Sequence, residues 1–419
     1  MDLLISVFKF AYCFVVLAFG VFAYVKMYLK TKDKLNPFGI VCLSWCFLGA
    51  VASLHLSWME SMWTAEMYMI VMLFPFLVFQ SGSRKTGRIT NEKLQYIEFS
   101  SCYILLTRAL FIICLACALL EWNKNGFSIT LSNGAADAKS ELQTIPVIHY
   151  GTIYFPYCAI CSLFELIYKK KKKFLTVVYL LGTIAINILY ALFVGASRGT
   201  LLIIFCAFVY LFLRKYSISL KWIIILVAGM VLAFVAISQK RIYSGSLVYQ
   251  VVKGHPIVSS IYGYTALNFE NLNRLTQRGP KYTIILMTYG GFMQLLGLDG
   301  LYELPEYIMT YFFNANTICY DFYEDLGLLG VIINTLVIFG FVRIIYKKSV
   351  KDRRYLLMMS VMQKAIWMVF FGNYFTIYRV MLFPYFVTAL VVYSMNIQIS
   401  LRRGKIKKVK QYWKGKAVI

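Results

Sequence analysis

Residues 169–194 read KKKKKFLTVVYLLGTIAINILYALFV, five lysines followed by an apolar run without a charge. The run from Phe174 to Val194 is about 21 residues, which as a helix rising about 1.5 Å per residue spans a hydrocarbon core of about 30 Å. A segment in lipid must satisfy its backbone internally, and the alternating pattern of a membrane barrel is absent, so a helix is expected. The lysines hold their end on the cytoplasmic side. At the other end Gly195-Ala196-Ser197-Arg198-Gly199 makes a hairpin, and Thr200 to Leu213 returns to a second basic cluster at Arg214 and Lys215. Upstream, Val147 to Tyr168 is a further apolar run that ends on the same lysines.

This alternation recurs along the chain. Spans are expected at Leu3 to Val25, Phe38 to Ser57, Met62 to Phe79, Phe99 to Leu120, Val147 to Tyr168, Phe174 to Val194, Thr200 to Leu213, Trp222 to Ser238, Leu326 to Tyr346, Tyr355 to Phe371 and Val380 to Gln398. That is an all-α, polytopic membrane protein with about eleven transmembrane helices. Basic clusters follow every second run and collect about 30 of the 43 Lys and Arg residues on one face, which places the N-terminus outside and the C-terminus in the cytoplasm. By topology the chain divides into residues 1–238 (eight helices), 239–325 (one large outer loop), 326–401 (three helices) and 402–419 (a basic cytoplasmic tail). The start of the chain lacks a basic region and a small-residue cleavage site, so its first run reads as a retained span.

Composition agrees. At 60% hydrophobic and 15% charged residues, the chain has too little polar surface to cover a water-soluble globule. A net charge of +25 on a soluble protein would point to nucleic acid; here its placement assigns it to topology and to anionic lipid headgroups, so no nucleic-acid partner is expected. Of ten cysteines only Cys319 lies outside an expected span, and the CxxC pairs Cys114/Cys117 and Cys158/Cys161 have no histidine to complete a metal site.

The outer loop is far longer than a connection requires, which marks it for function. Within it Thr283 to Leu298 is apolar, broken by Gly290 and Gly291 and too short to span, a candidate re-entrant segment. Arg274 and Arg278 stand four apart, so a helix sets both on one face; they read as a clamp for a diphosphate or as a solvated face. Arg198 sits at the short hairpin before a span of about 14 residues, at or below the outer surface, where it binds a phosphate or snorkels to headgroups. Arg241 and Arg379 lie near the same surface with the same two readings. Glu324 and Asp325, at the mouth of a span, are helix-capping carboxylates or a general base, and since helix neighbours point about 100° apart, one of the two faces any pocket. His255 is the one histidine placed like a base or substrate contact. Arg108 and Lys364 fall inside spans, where an unpaired charge is expensive; they pair internally, with Glu66 or a polar group as candidate partners, or line the cavity. There is no P-loop, no HExxH, no GxSxG elbow and no Asp-rich outer pair, so neither a cofactor nor a metal is expected.

The hairpin Ala196-Ser197-Arg198-Gly199, the single large outer loop, and Asn316-Thr317 leading through Tyr323-Glu324-Asp325-Leu326-Gly327 into a helix resemble the Wzy-type O-antigen and capsule repeat-unit polymerases. The resemblance implies a metal-independent glycosyltransferase with a membrane fold of the C type in a bacterial plasma (inner) membrane. Its substrates would be polyprenyl-diphosphate-linked oligosaccharides, and a flippase and chain-length regulator would be pathway partners. The growing glycan would pass from its lipid diphosphate to a hydroxyl of the incoming unit. Cations (Arg198, Arg241, Arg274, Arg278, Arg379) would stabilise the leaving diphosphate, and Glu324, Asp325 or His255 would supply the base. An O-antigen ligase shares this plan, and a flippase or transporter is the reading from another class, although no internal repeat is seen.

Overall fold

The computed structural model describes residues 2–83, 96–126, 143–171, 173–193, 198–216, 252, 256–295, 315–377 and 381–397. Their regular structure is helical, without a strand. In chain order the helices are α1 (Asp2–Thr31), α2 (Pro37–Ala52), α3 (Ala65–Ser83), α4 (Ser101–Lys124), α5 (Ile148–Tyr168), α6 (Phe174–Phe193), α7 (Arg198–Lys215), α8 (Pro256–Thr265), α9 (Leu267–Arg278), α10 (Gly290–Leu295), α11 (Ile318–Lys351), α12 (Tyr355–Trp367) and α13 (Phe383–Ser394). Every expected span overlaps a helix except Trp222 to Ser238, which lies outside the described residues, as does the basic tail.

Among the described residues five stretches are long and apolar enough to cross a membrane: Ser6–Thr31, Ala65–Ser83, Ser101–Lys124, Ile148–Tyr168 and Ile318–Lys351. Pro37–Ala52, Phe174–Tyr190 and Phe383–Ser394 are apolar but shorter. The protein is therefore a helical, membrane-embedded chain. Its helices carry their apolar side chains outward as well as inward: Phe10, Phe14, Leu105 and Ile112 are more than half exposed. Such faces are stable in lipid and not in water.

Packing divides the chain into two units, residues 1–91, 216–350 and 364–381, and residues 92–215, 351–363 and 382–419. The units interleave along the sequence, whereas the division at 238 and 325 follows topology alone. In the first unit, α2 starts where Asn36 accepts the amides of Phe38 and Gly39, each at 3.1 Å, with Pro37 in the first turn, where its missing N–H costs nothing. Asn36 also donates to Tyr346 Oη (3.3 Å), which donates to Asp33 (2.6 Å), so the α1–α2 turn is tied to the far end of α11.

In the second unit the partner of Arg108 is Glu165 (2.8 Å), a fully buried carboxylate that also takes Lys169 (2.7 Å), while the guanidinium lies 4.3 Å from the Tyr179 ring. Of the alternatives open in the sequence, Arg108 takes an internal pair, and its carboxylate is Glu165, not the candidate Glu66. Glu66 instead accepts the Tyr323 hydroxyl, and the Lys364 ammonium lies over the Tyr374 ring, both in the first unit. Spacing along the chain gave no means of choosing among these partners, because each pair joins separate segments.

The helix α11 is broken at Leu326 (φ −146°) and Gly327 (φ +62°), the second a conformation that glycine adopts freely and L-residues rarely do. The break brings the next turn against the preceding one: a Cβ on Gly330 would sit 2.0 Å from the Phe322 carbonyl oxygen. Gly340, further along α11, has nothing within 4 Å of a built Cβ. Gly330→Ala is therefore expected to lower the thermal unfolding midpoint in detergent by an amount equivalent to about 1–3 kcal/mol, while Gly340→Ala leaves it unchanged or raises it. Equal midpoints for the two variants would show that the break is not a fixed feature.

Candidate functional site

The segment Leu267–Arg278, LNFENLNRLTQR, folds as α9 in the first unit. Its apolar residues are core: Leu267, Phe269, Leu272 and Leu275 are at most 1% exposed, and the Phe269 ring lies 4.9 Å from that of Trp45. Buried beside them are Asn268, Glu270, Asn271, Asn273 and Thr276. A buried polar group is costly unless bonded, and here the bonds are made to backbone of other segments. Asn268 donates to Phe370 O (3.0 Å) and Asn271 to Ala315 O (2.6 Å). Asn273 accepts the Thr64 amide (3.1 Å) and donates to Ser61 Oγ (2.9 Å), and Thr276 and Thr64 share a hydroxyl bond of 2.6 Å. The loop between α2 and α3 is thereby strapped along the length of α9.

Glu270 is the centre of that strap. It is fully buried and accepts Ser61 N (3.1 Å), Ser61 Oγ (2.7 Å), Asn273 Nδ2 (3.1 Å) and Arg274 Nε (3.1 Å). Arg274 also donates to Met59 O at 3.1 Å. One turn on, Arg278 meets both oxygens of Glu324 at 2.6 and 2.8 Å. The two arginines share a design: each side chain is 31% exposed and is held from behind by a carboxylate that is 0% or 4% exposed. Both guanidinium groups are therefore fixed and partly exposed, one turn apart along α9.

Asp325 has a different surrounding. Thr283 Oγ1 donates to it at 2.6 Å, Met287 N at 2.9 Å and Thr288 N at 2.8 Å, while the break in α11 frees the carbonyls of Glu324 and Asp325 to accept Tyr282 N and Ile284 N, each at 3.1 Å. Tyr282 and Ile284 are held there at φ +58° and +65°, a costly region for a β-branched residue. Beyond them Thr288 receives Asn334 (3.3 Å), which lies two turns past the break. Tyr282, Ile284 and Ile285 present 64%, 63% and 43% of their surface. The described part of the candidate re-entrant segment is thus a strained apolar turn pinned along α11, followed by the short helix α10.

Of the residues singled out in the sequence, Arg274, Arg278, Glu324 and Asp325 all lie on α9 and α11 of the first unit, and Arg278 pairs with Glu324. Arg198 opens α7 in the second unit, with its side chain outside the described residues. His255, Arg241 and Arg379 lie outside the described residues altogether. Sequence reading did not single out Glu270, Asn273 or Ser61. The available signal was a helix-length segment with three asparagines and a glutamate interleaved with leucines, too polar to be lipid-facing and too apolar to be solvated.

No family model matches the chain, and no curated protein and no solved structure matches it either.

Next to this network, Tyr262 Oη lies 2.8 Å from both oxygens of Glu60, which also takes Ser57 N at 2.9 Å. Burial pushes the Glu60 carboxyl up to about 7, the Glu270 carboxylate adding to the rise and the Ser57 and Tyr262 bonds opposing it. A carboxyl raised in the folded state stabilises the fold fully below its ordinary value near 4.5 and loses that contribution as pH rises through about 7. Protection of the Leu56–Ser61 amides against hydrogen exchange, corrected for intrinsic rates, is expected to fall between pH 5 and pH 8 in wild type and to stay level in Glu60→Gln. The same fall in both would remove Glu60 as its cause. Glu270→Ala leaves Arg274, Asn273 and Ser61 facing an empty acceptor position and is expected to cost about 3 kcal/mol in thermal or denaturant unfolding, with Glu270→Gln costing less.

Proposed function

We propose that this chain is a membrane glycosyltransferase of the Wzy polymerase type, which joins polyprenyl-diphosphate-linked oligosaccharide units on the outer face of a bacterial plasma membrane. The observation that carries the reading is the pair Arg274 and Arg278, one helical turn apart, each partly exposed and each braced by a buried carboxylate. Paired guanidinia at that spacing match two linked phosphates, and Arg is the side chain that grips phosphate oxygens through a planar fork. The exposed apolar turn at Tyr282, Ile284 and Ile285 follows directly, suited to the lipid portion of the same molecule. Two features add support. The body is a set of apolar helices, and five of those among the described residues can cross a membrane. The stretch that resembles the family, Tyr323-Glu324-Asp325-Leu326-Gly327, coincides with the break in α11 and with the carboxylate that holds Arg278. Eleven crossings and a fold of the C type belong to this proposal.

In this reading the growing glycan is transferred when a hydroxyl of the incoming unit attacks the sugar carbon bonded to diphosphate. The carbon–oxygen bond to the diphosphate breaks, and the lipid diphosphate leaves with the electron pair. Its developing charge is stabilised by Arg274 and Arg278, and the energy of the sugar–diphosphate bond drives the step without nucleotide. Arg198 is a further cation for separate test. An O-antigen ligase would use the same donor and differ in acceptor.

The test is a gel of surface polysaccharide from cells lacking the gene, complemented at matched expression. Single units without a ladder in the deletion, restored by wild type and not by Arg274→Ala or Arg278→Ala, support polymerase. The loss expected for each alanine variant is about 100-fold or more in rate. Because Arg278→Ala strands the buried Glu324, the double variant Arg278→Ala/Glu324→Gln separates lost chemistry from lost fold. Full-length polymer held on the carrier would mean a ligase, units trapped inside would mean a flippase, and an unchanged ladder would sink the glycan reading.

A further inference from the structure

We propose that Asp321, a carboxylate not selected from the sequence, is the group that takes the proton from the attacking hydroxyl, and that Thr317 binds that hydroxyl beside it. The proposal rests on the glycosyl-transfer reading above.

Asp321 stands three residues before Glu324 and four before Asp325 on α11, one turn from each. Hydrogen bonding separates them. Both oxygens of Glu324 are held by Arg278, and both oxygens of Asp325 are held by Thr283, Met287 and Thr288. A carboxylate engaged in this way is a structural acceptor and has little capacity left for a substrate proton. Asp321 accepts a hydrogen bond from the Asn373 amide, which also donates to Thr376 Oγ1 (2.7 Å) and Thr288 O (3.3 Å). Among the described residues no other donor is set against it. An ionised carboxylate has about four acceptor positions, so most of those on Asp321 are open. It is also the accessible member of the three: Glu324 and Asp325 are 3% and 0% exposed, whereas Asp321 is partly exposed.

The second observation is Thr317, the residue just before α11 and four before Asp321. It is fully buried, and its hydroxyl has no hydrogen-bond partner. A buried hydroxyl without a partner is unfavourable in the free protein and gains when a ligand hydroxyl meets it. A hydroxyl donor-acceptor and an open carboxylate four residues apart are suited to hold and deprotonate a sugar hydroxyl. One turn further along α11, Glu324 brings in Arg278, so base and leaving-group cation are carried by adjacent turns of one helix.

The step balances. The acceptor O–H gives its proton to Asp321, its oxygen forms the new bond to the sugar carbon, the bond from that carbon to the lipid diphosphate breaks, and the diphosphate departs with the electron pair. Asp321 then returns the proton to water.

The test uses full-length protein in membranes, supplied with lipid-linked units extracted from cells lacking the gene. Asp321→Asn is expected to lower the turnover rate about 100-fold or more with KM nearly unchanged, and to abolish the acidic limb of the pH–rate profile. Asp321→Glu is expected to keep part of the rate with that limb displaced, and Thr317→Val to raise KM for the acceptor. An unchanged elution profile and unfolding midpoint establish that Asp321→Asn is folded. If it is not, Asp321→Glu decides, since a limb identical to wild type in that variant overturns the proposal. Wild-type turnover by folded Asp321→Asn also overturns it while leaving the polymerase reading intact. Failure of wild type itself to extend these units overturns both.

Discussion

The first unit depends on a helix that stops being a helix for two residues. At Leu326 and Gly327 α11 abandons its regular backbone, and the carbonyls of Glu324 and Asp325 lose their intrahelical donors. In an apolar surrounding an unmatched carbonyl is costly, and the backbone of Tyr282 and Ile284 supplies the replacement donors. The Asp325 side chain completes the joint by gathering Thr283, Met287 and Thr288. Two positive-φ residues are the cost of that match. Glu324, the residue before Asp325, is thereby aimed at Arg278, so the orientation of a surface guanidinium is traceable to a break inside an apolar helix.

A second constraint is the burial of polarity on α9. Four of its twelve residues are buried Asn or Glu, and their partners are mostly backbone groups of the α2–α3 loop, Ala315 and Phe370. Side chains that read backbone fix position without requiring particular residues opposite them. This suits a short helix of three turns, too short to be stable by its own hydrogen bonds, that must hold two cations in register. The apolar contact of Phe269 with Trp45 supplies driving force, and the asparagines supply direction.

How much of this was legible in the sequence differs by level. The helices were, because runs such as Phe174 to Val194 have one stable form in lipid and the basic clusters mark their ends. The single helical face carrying Arg274 and Arg278 followed from their spacing of four. That neighbours Glu324 and Asp325 point different ways also followed from helix geometry, and the structure sends one to Arg278 and the other to Thr283–Thr288. What could not be read was pairing between segments. Arg108 with Glu165, Glu66 with Tyr323 and Glu270 with Ser61 each join residues from separate elements, and no period along the chain encodes them. Asp321 was passed over for the related reason that its open acceptor capacity is defined only once the partners of its two neighbours are known.

The bracing of Arg274 and Arg278 by buried carboxylates has a kinetic consequence for any anion they meet. Each guanidinium is already compensated, so the pair exerts only a modest field on a ground-state diphosphate whose charge is spread and partly solvated. As the bond to the leaving oxygen lengthens, negative charge concentrates, and fixed donors that need no reorientation gain most at that point. Interactions that strengthen between ground state and transition state raise turnover without tightening substrate binding. In the proposed transfer, free arginines would bind the lipid diphosphate more strongly and release it more slowly, a disadvantage for a step whose product is that same diphosphate. The braced geometry of α9 and α11 is thus better matched to letting a charged leaving group depart than to storing it.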